Sequence, residues 1–218
     1  MPRVQSARYA TSRCARTVFA GDTSHVARLS ALFGLDAFAG GFVIQSIVSY
    51  WFHTRFGLPI GQLGAVFFGA NILAGISALL AARLAARFGL VNTMVFTHLP
   101  SNVLLIAVPL MPTAPLAIAV LLARFSISQM DVPARQSYTM AVVDPDERSA
   151  AAGVTAIARS VGAAVSPSLA TPLVEAAGLA ALPFVIAGSL KIVYDLLFYR
   201  SFQAHRPPEE RLPGPGHG

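Results

Sequence analysis

A segment of mixed polarity, RFSISQMDVPARQSYTM at residues 124–140, lies within a strongly apolar part of the chain. Its charged side chains are Arg124, Asp131 and Arg135, and on one continuous helix they would share a face with Ser128. Arginine binds anionic groups, and aspartate pairs with cations or carries protons. The stripe therefore fits two kinds of chemistry: structural ion pairs, or the polar lining of a path for a solute.

More charged residues lie within other apolar stretches, namely Asp36, Arg159, Lys191 and Asp195. A charge inside a membrane helix costs about 2.5–3.5 kcal/mol, so such side chains normally face protein or water. Because Lys191 and Asp195 are four residues apart, we expect them to neutralise each other on one helix face. We predict that the solute path or the ion pairs involve six residues: Arg124, Asp131, Asp36, Gln45, Gln129 and Arg159.

Depth along the helix separates the roles within the opening segment. Arg124 should lie about 15 Å from the outer end of its helix, near the middle of the membrane. It is the predicted anion contact. Asp131 should lie about 25 Å along, and Asp131 and Asp36 are the predicted proton carriers. Arg135 is expected at the cytoplasmic interface as an anchor. Asn71, Asn102 and Ser128 are further neutral candidates for the same lining.

The elements that must position these side chains are long apolar stretches. Of the 218 residues, 55% are hydrophobic and 12% are charged, against about 25% charged in soluble domains. About 20 apolar residues cross a membrane as a helix. We predict an all-α polytopic membrane protein with six transmembrane helices, over Leu29–Phe52, Gln62–Ala82, Val91–Met111, Ala114–Val143, Ala150–Val174 and Leu179–Tyr199. Residues 1–28 and 203–218 are predicted to be disordered tails on either side of this domain, 29–202; an organellar transit peptide is the alternative for the first tail.

The basic residues predict the orientation of the domain. With a cytoplasmic N-terminus, twelve of the sixteen basic residues fall on the cytoplasmic side, and Arg55 alone falls on the other. This imbalance indicates that both termini are cytoplasmic, in a multi-pass protein of the plasma (inner) membrane.

The net charge of +6 is spread over helix ends rather than gathered in a patch, so we expect no nucleic-acid partner. One cysteine and five scattered histidines predict no metal site and no cofactor.

Prolines and small residues modify several of these helices. Pro133 in the fourth stretch, and Pro167 and Pro172 in the fifth, each remove a backbone donor and tend to kink a membrane helix. The pair Ala158 and Gly162 in the fifth stretch is typical of closely packed membrane helices.

Two motifs carry a resemblance to a known family. The string LAARFG at Leu84–Gly89 resembles the cytoplasmic loop motif G-x-L-a-D-r-x-G-r-k of the major facilitator superfamily, matching it at Leu84, Arg87 and Gly89 and departing from it at Ala82, Ala86 and Leu90. The string DPDERSAAAG at Asp144–Gly153 resembles the family's acidic-Arg turn before a small-residue helix. SQMDVPARQSY is similar to bacterial facilitators of unassigned substrate.

The resemblance covers about residues 29–202 and fits the C-terminal six-helix half of such a transporter. It implies movement of a small solute by alternating access within a lipid bilayer, with a proton as a candidate coupling ion. It also implies a second six-helix half, either a missing N-terminal half or another chain. A non-transporting scaffold or assembly partner is the alternative. A membrane-embedded enzyme is disfavoured because no acid accompanies His98 and Ser101 in the sequence.

Overall fold

The computed structural model describes residues 23–143, 148–176 and 178–202. Within these ranges the chain is all-helical, and a short 3-10 helix, Val108–Leu110, extends the fourth helix. The predicted tail 203–218, most of the tail 1–28, and the residues Asp144 to Glu147 of the second motif lie outside the described residues. The helices are α1 (Thr23–Gly41), α2 (Gln45–Phe56), α3 (Ile60–Phe88), α4 (Leu90–Ala107), α5 (Ala114–Ser128), α6 (Asp131–Val142), α7 (Arg148–Glu175) and α8 (Leu182–Phe202).

Five segments of the described chain are long and apolar enough to cross a membrane: Val26–Phe56, Ile60–Phe88, Leu90–Leu110, Ala114–Thr139 and Leu182–Phe202. Each corresponds to one predicted span. The remaining predicted span, Ala150–Val174, lies within the 28-residue helix α7 but is not among the five. The helix is rich in Ala, Ser, Gly, Thr and Pro, which makes it less apolar than the other five segments.

The first predicted span is wrong as a single helix, because it is interrupted between α1 and α2 at residues 42–44. The interruption directly follows Gly40 and Gly41, and glycine weakens a helix by about 1 kcal/mol relative to alanine. The backbone tightens there: the Phe42 N–H donates to the carbonyl of Ala39 at 3.3 Å, and the Val43 N–H donates to that of Gly40 at 3.1 Å.

The fourth predicted span is also two helices, α5 and α6, separated at Gln129 and Met130. Pro133 lies in the first turn of α6, where a missing N–H is tolerated. Its ring would clash with the carbonyl of residue 129 if the helix continued. The proline therefore ends one helix and begins another, so the residues of the opening segment do not share one continuous helix face.

α7 packs most closely against α1. A side chain on Gly162 would collide with the backbone of Gly34 and would lie 3.0 Å from the amide nitrogen of Phe38. A side chain on Gly34 would lie 3.3 Å from the carbonyl oxygen of Ala158. The pair Ala158 and Gly162 thus lies at a close helix contact, as small residues allow.

Two hydrophobic clusters lie at different levels along the helices. The Trp51 cluster includes Phe42, Trp51, Phe52, Leu105 and Phe184. The Phe198 cluster includes Leu29, Phe33, Met94, Tyr138 and Phe198. The segments of α1, α4 and α8 between these clusters each carry a buried polar or charged residue: Asp36, His98 and Lys191.

Candidate functional site

The carboxylate of Asp36 on α1 is buried and receives three cationic side chains from three other helices. Lys191 Nζ on α8 lies 2.5 Å from Oδ1, Arg135 Nη1 on α6 lies 3.0 Å from Oδ2, and Arg159 Nη1 on α7 lies 3.4 Å from Oδ2. Because each cation comes from a different helix, the single carboxylate ties α6, α7 and α8 to α1. We call these residues, together with Asp131, the Asp36 cluster.

Arg135 is not the interfacial anchor that its sequence position suggested. It is buried and donates both to Asp36 and to Asp131, which lies one turn earlier on α6. Its guanidinium also lies 5.4 Å from the centre of the Phe33 ring. The expectation was wrong because depth along a helix does not reveal which partners lie across the bundle.

Lys191 and Asp195 do not neutralise each other, because each bonds a different helix. Lys191 reaches Asp36 on α1, whereas Asp195 lies 2.7 Å from Nδ1 of His98 on α4. The amide of Asn102 donates to the other oxygen of Asp195 at 2.9 Å. Nε2 of His98 faces Asp36 at 3.9 Å, so the imidazole lies between two buried carboxylates.

His98 and Asp195 were missed as site residues in the sequence. A signal was present, since His98 and Asn102 are four residues apart on α4, and Lys191 and Asp195 are four residues apart on α8. Two such polar pairs in separate apolar helices are expected to face each other. The structure brings His98 and Asn102 together with Asp195 at the contact between α4 and α8, whereas Lys191 reaches Asp36 on α1.

Arg124 on α5 lies outside these ion pairs. Within the described part of the chain, no carboxylate oxygen lies within 4 Å of its guanidinium, and its buried Nε has no hydrogen-bond acceptor. Its guanidinium carbon lies 5.2 Å from the centre of the neighbouring Phe125 ring. The ring offers only a weak compensation for the charge, of about 0.5–2 kcal/mol.

A cavity of about 370 Å³ lies beside the Asp36 cluster, between α1, α6 and α7. Arg135 and Arg159 both line it, and the side chain of Arg159 is 40% exposed. The other polar residues in its wall are Gln136, Thr139, Thr155 and Ser160. The volume is within the range of small-molecule sites.

The remaining predicted site residues lie elsewhere. Gln45 lines a separate cavity of about 580 Å³ near His53 and Ile60. Gln129 lies at the break between α5 and α6.

The loop motif covers the junction of α3 and α4. Leu84 is half-buried and Arg87 is exposed. Gly89 alone separates the two helices, at φ 85°, a left-handed value that favours glycine.

The geometry around His98 differs from that of a hydrolytic site. An acid does accompany His98, contrary to expectation, but both ring nitrogens face carboxylates. The Ser101 hydroxyl is fully buried and has no hydrogen-bond partner among the described residues. A serine nucleophile needs a base within hydrogen-bond reach, and the described structure shows no such pair between Ser101 and His98.

Comparisons with known proteins also indicate a helical membrane protein. An uncharacterised membrane protein of Saccharomyces cerevisiae is 26% identical over 171 residues, which is 78% of this chain and 38% of the yeast protein. The chain thus spans well under half the length of that relative. No solved structure matches the chain. The family model of the Major Facilitator Superfamily matches residues 29–217, and the chain therefore belongs to this superfamily of membrane transporters.

Proposed function

We propose that this chain forms one six-helix half of a secondary transporter that moves a small solute by alternating access. The observation that carries the proposal is the Asp36 cluster, which lies buried between two hydrophobic clusters and beside a cavity. Buried charge in a membrane protein is energetically expensive, and it typically marks a path for a solute or an ion.

α7 is proposed as the sixth membrane span. Its 28 residues give a length of about 42 Å, and it lies along α1 in close contact. The helix also exposes an apolar stripe, which includes Ile157, Val161 and Val165. Lipid chains or a second six-helix half would cover such a stripe. The charge imbalance between the loops supports cytoplasmic termini.

The positions of the two helix breaks support a transport role. Counting α7 as the fifth span, the breaks fall in spans one and four. In six-helix halves built from two three-helix repeats, these are corresponding positions. Glycine- or proline-interrupted helices at corresponding positions of such repeats are a pointer to a solute site. Asp36 precedes the first break and Arg124 precedes the second, and both remain proposed contacts of the solute path.

A proton is the proposed coupling ion. The His98 imidazole lies between Asp195, 2.7 Å from Nδ1, and Asp36, 3.9 Å from Nε2, so the charge of a protonated ring would face carboxylates of two different helices. Loading or releasing that proton changes the charge holding α1, α4 and α8 together. This gives a physical link between protonation and helix movement.

The transport proposal is tested by uptake of labelled small solutes into cells that express the chain. Cells expressing Asp36→Asn at the same membrane abundance provide the comparison. We expect uptake of at least one solute above vector control, its loss in Asp36→Asn, and stimulation by an inward proton gradient. Uptake equal to vector across the panel, with and without a co-expressed second half, would refute transport in favour of a scaffold role.

A further inference from the structure

We propose that the cavity between α1, α6 and α7 binds the carboxylate of a small organic monoanion, and that Arg159 is its main ligand. This inference rests on the proposed transport function and names the chemical class of the solute. The charges around the cavity and the position of Arg159 among them support the proposal.

The charges bonded directly to one another at the cavity do not balance. Lys191, Arg135 and Arg159 supply three positive charges, against the two carboxylates of Asp36 and Asp131. Asp195 faces His98 and Asn102 instead. Among the described residues one positive charge is therefore in excess at the cavity, and a single anionic group would compensate it.

Arg159 is the cation best placed to hold that anion. Arg135 shares two carboxylates, and the ammonium of Lys191 lies 2.5 Å from Asp36 with a side chain only 10% exposed. Arg159 makes the longest contact, 3.4 Å, and its side chain is 40% exposed at the cavity. A guanidinium donates two parallel hydrogen bonds to a carboxylate. The carboxylate of a bound solute can therefore replace Asp36 as the partner of Arg159.

The cavity wall supplies further donors. Gln136 and Ser160 line it and are exposed. The hydroxyls of Thr139 and Thr155 already donate to backbone carbonyls of their own helices, at 2.9 and 2.8 Å. Gln136 and Ser160 are therefore the neutral donors left to add further hydrogen bonds to the carboxylate oxygens that Arg159 holds.

The test uses the purified chain in nanodiscs, with benzoate as the probe and benzamide as its neutral analogue. The single tryptophan, Trp51, is buried in a hydrophobic cluster and reports thermal unfolding by its fluorescence. We expect millimolar benzoate, but not benzamide, to raise the midpoint of unfolding. Arg159→Gln should abolish the difference. Arg55→Gln, the same change at an exposed arginine of α2, should preserve it.

Arg159→Lys keeps the charge and decides the matter if Arg159→Gln does not fold. It should still distinguish benzoate from benzamide, with a Kd raised about tenfold because the bidentate contact is lost. Equal responses to benzoate and benzamide, or a benzoate response that persists in Arg159→Gln, would overturn the site. Stabilisation by phenyl phosphate without stabilisation by benzoate would overturn the carboxylate class.

Binding and transport fail separately in these experiments. Benzoate binding that depends on Arg159, without flux of any solute, leaves the anion site standing and removes the transport function. Flux of neutral solutes that is unchanged in Arg159→Gln supports transport and removes the anion site.

Discussion

Two interrupted spans of this protein each carry a charge about one and a half turns before the break. In the first span the charge is Asp36, which three cations surround. In the fourth it is Arg124, which has no carboxylate oxygen within 4 Å in the described part of the chain. Similar positions in the sequence thus have opposite surroundings. Partners on other helices, rather than position along a span, therefore decide whether a membrane charge stabilises the fold.

The largest effect is expected from Asp36→Asn. The substitution leaves Lys191 and Arg159 without a carboxylate, and removing one partner of a buried ion pair typically costs about 3–5 kcal/mol. We expect that loss in the free energy of unfolding, measured by denaturant titration in micelles. Asp131→Asn is the matched control and should cost less, because Arg135 keeps Asp36. Equal stability of Asp36→Asn and wild type would contradict the central place given to this carboxylate.

His98→Gln should have the next largest effect. The variant removes the His98 contact to Asp195 and leaves, among the described residues, the Asn102 amide as its donor. An under-paired buried group costs about 1–3 kcal/mol. Uptake should also lose its response to a proton gradient. His53→Gln changes an exposed histidine of α2 that contacts the Leu58 carbonyl, so it should leave both properties unchanged. A proton response that survives in His98→Gln excludes the imidazole as the coupling group.

Gly162→Ala acts on the surroundings of Asp36 through helix packing alone, without removing a charge. The added methyl group meets the backbone of Gly34, and overpacking typically costs about 1–3 kcal/mol. Because α7 must then move away from α1, the long Arg159 contact to Asp36 should weaken as well. Gly153→Ala on the same helix has open space around it and should be neutral or slightly stabilising. Equal unfolding midpoints for the two variants would show that the close contact is not required.

Arg124→Gln is expected to have the smallest effect on stability, a change below about 1 kcal/mol, because no described carboxylate loses its partner. If Arg124 contacts the solute, uptake should nevertheless fall sharply. The two measurements together distinguish a structural arginine from a transport arginine. A large loss of stability would show that Arg124 has a structural role, and unchanged uptake would remove it from the solute path.

Much of the architecture follows from hydropathy, because long apolar stretches can cross a membrane only as helices. Five segments that can span a membrane were predicted in this way. A kink at Pro133 was predicted, but the complete breaks at Phe42 and Gln129 were not, since glycine and proline permit an interruption without fixing its place. α7 is less apolar than the other spans because it is rich in small residues, which allow its close contact with α1.

The site was less predictable than the fold. Asp36, Asp131 and Arg159 were chosen from their types and depth, and the structure brings them together. Arg135 was predicted to be an interfacial anchor and Lys191 to pair with Asp195, because an ion pair between residues 99 or 155 positions apart depends on how helices pack. No periodicity along one helix contains that information.

Asp36 is also the first member of its cluster to be synthesised. Arg135 follows 99 residues later in the chain, which corresponds to roughly 5–20 s at ordinary rates of translation. Throughout that interval the first span holds a carboxylate without any of its cations. Until its cations are synthesised, the Asp36 carboxylate must therefore be neutralised by a bound proton or be kept out of the lipid by delayed release from the insertion machinery. The Asp36 cluster therefore cannot be completed before Lys191 is synthesised, 155 residues after Asp36.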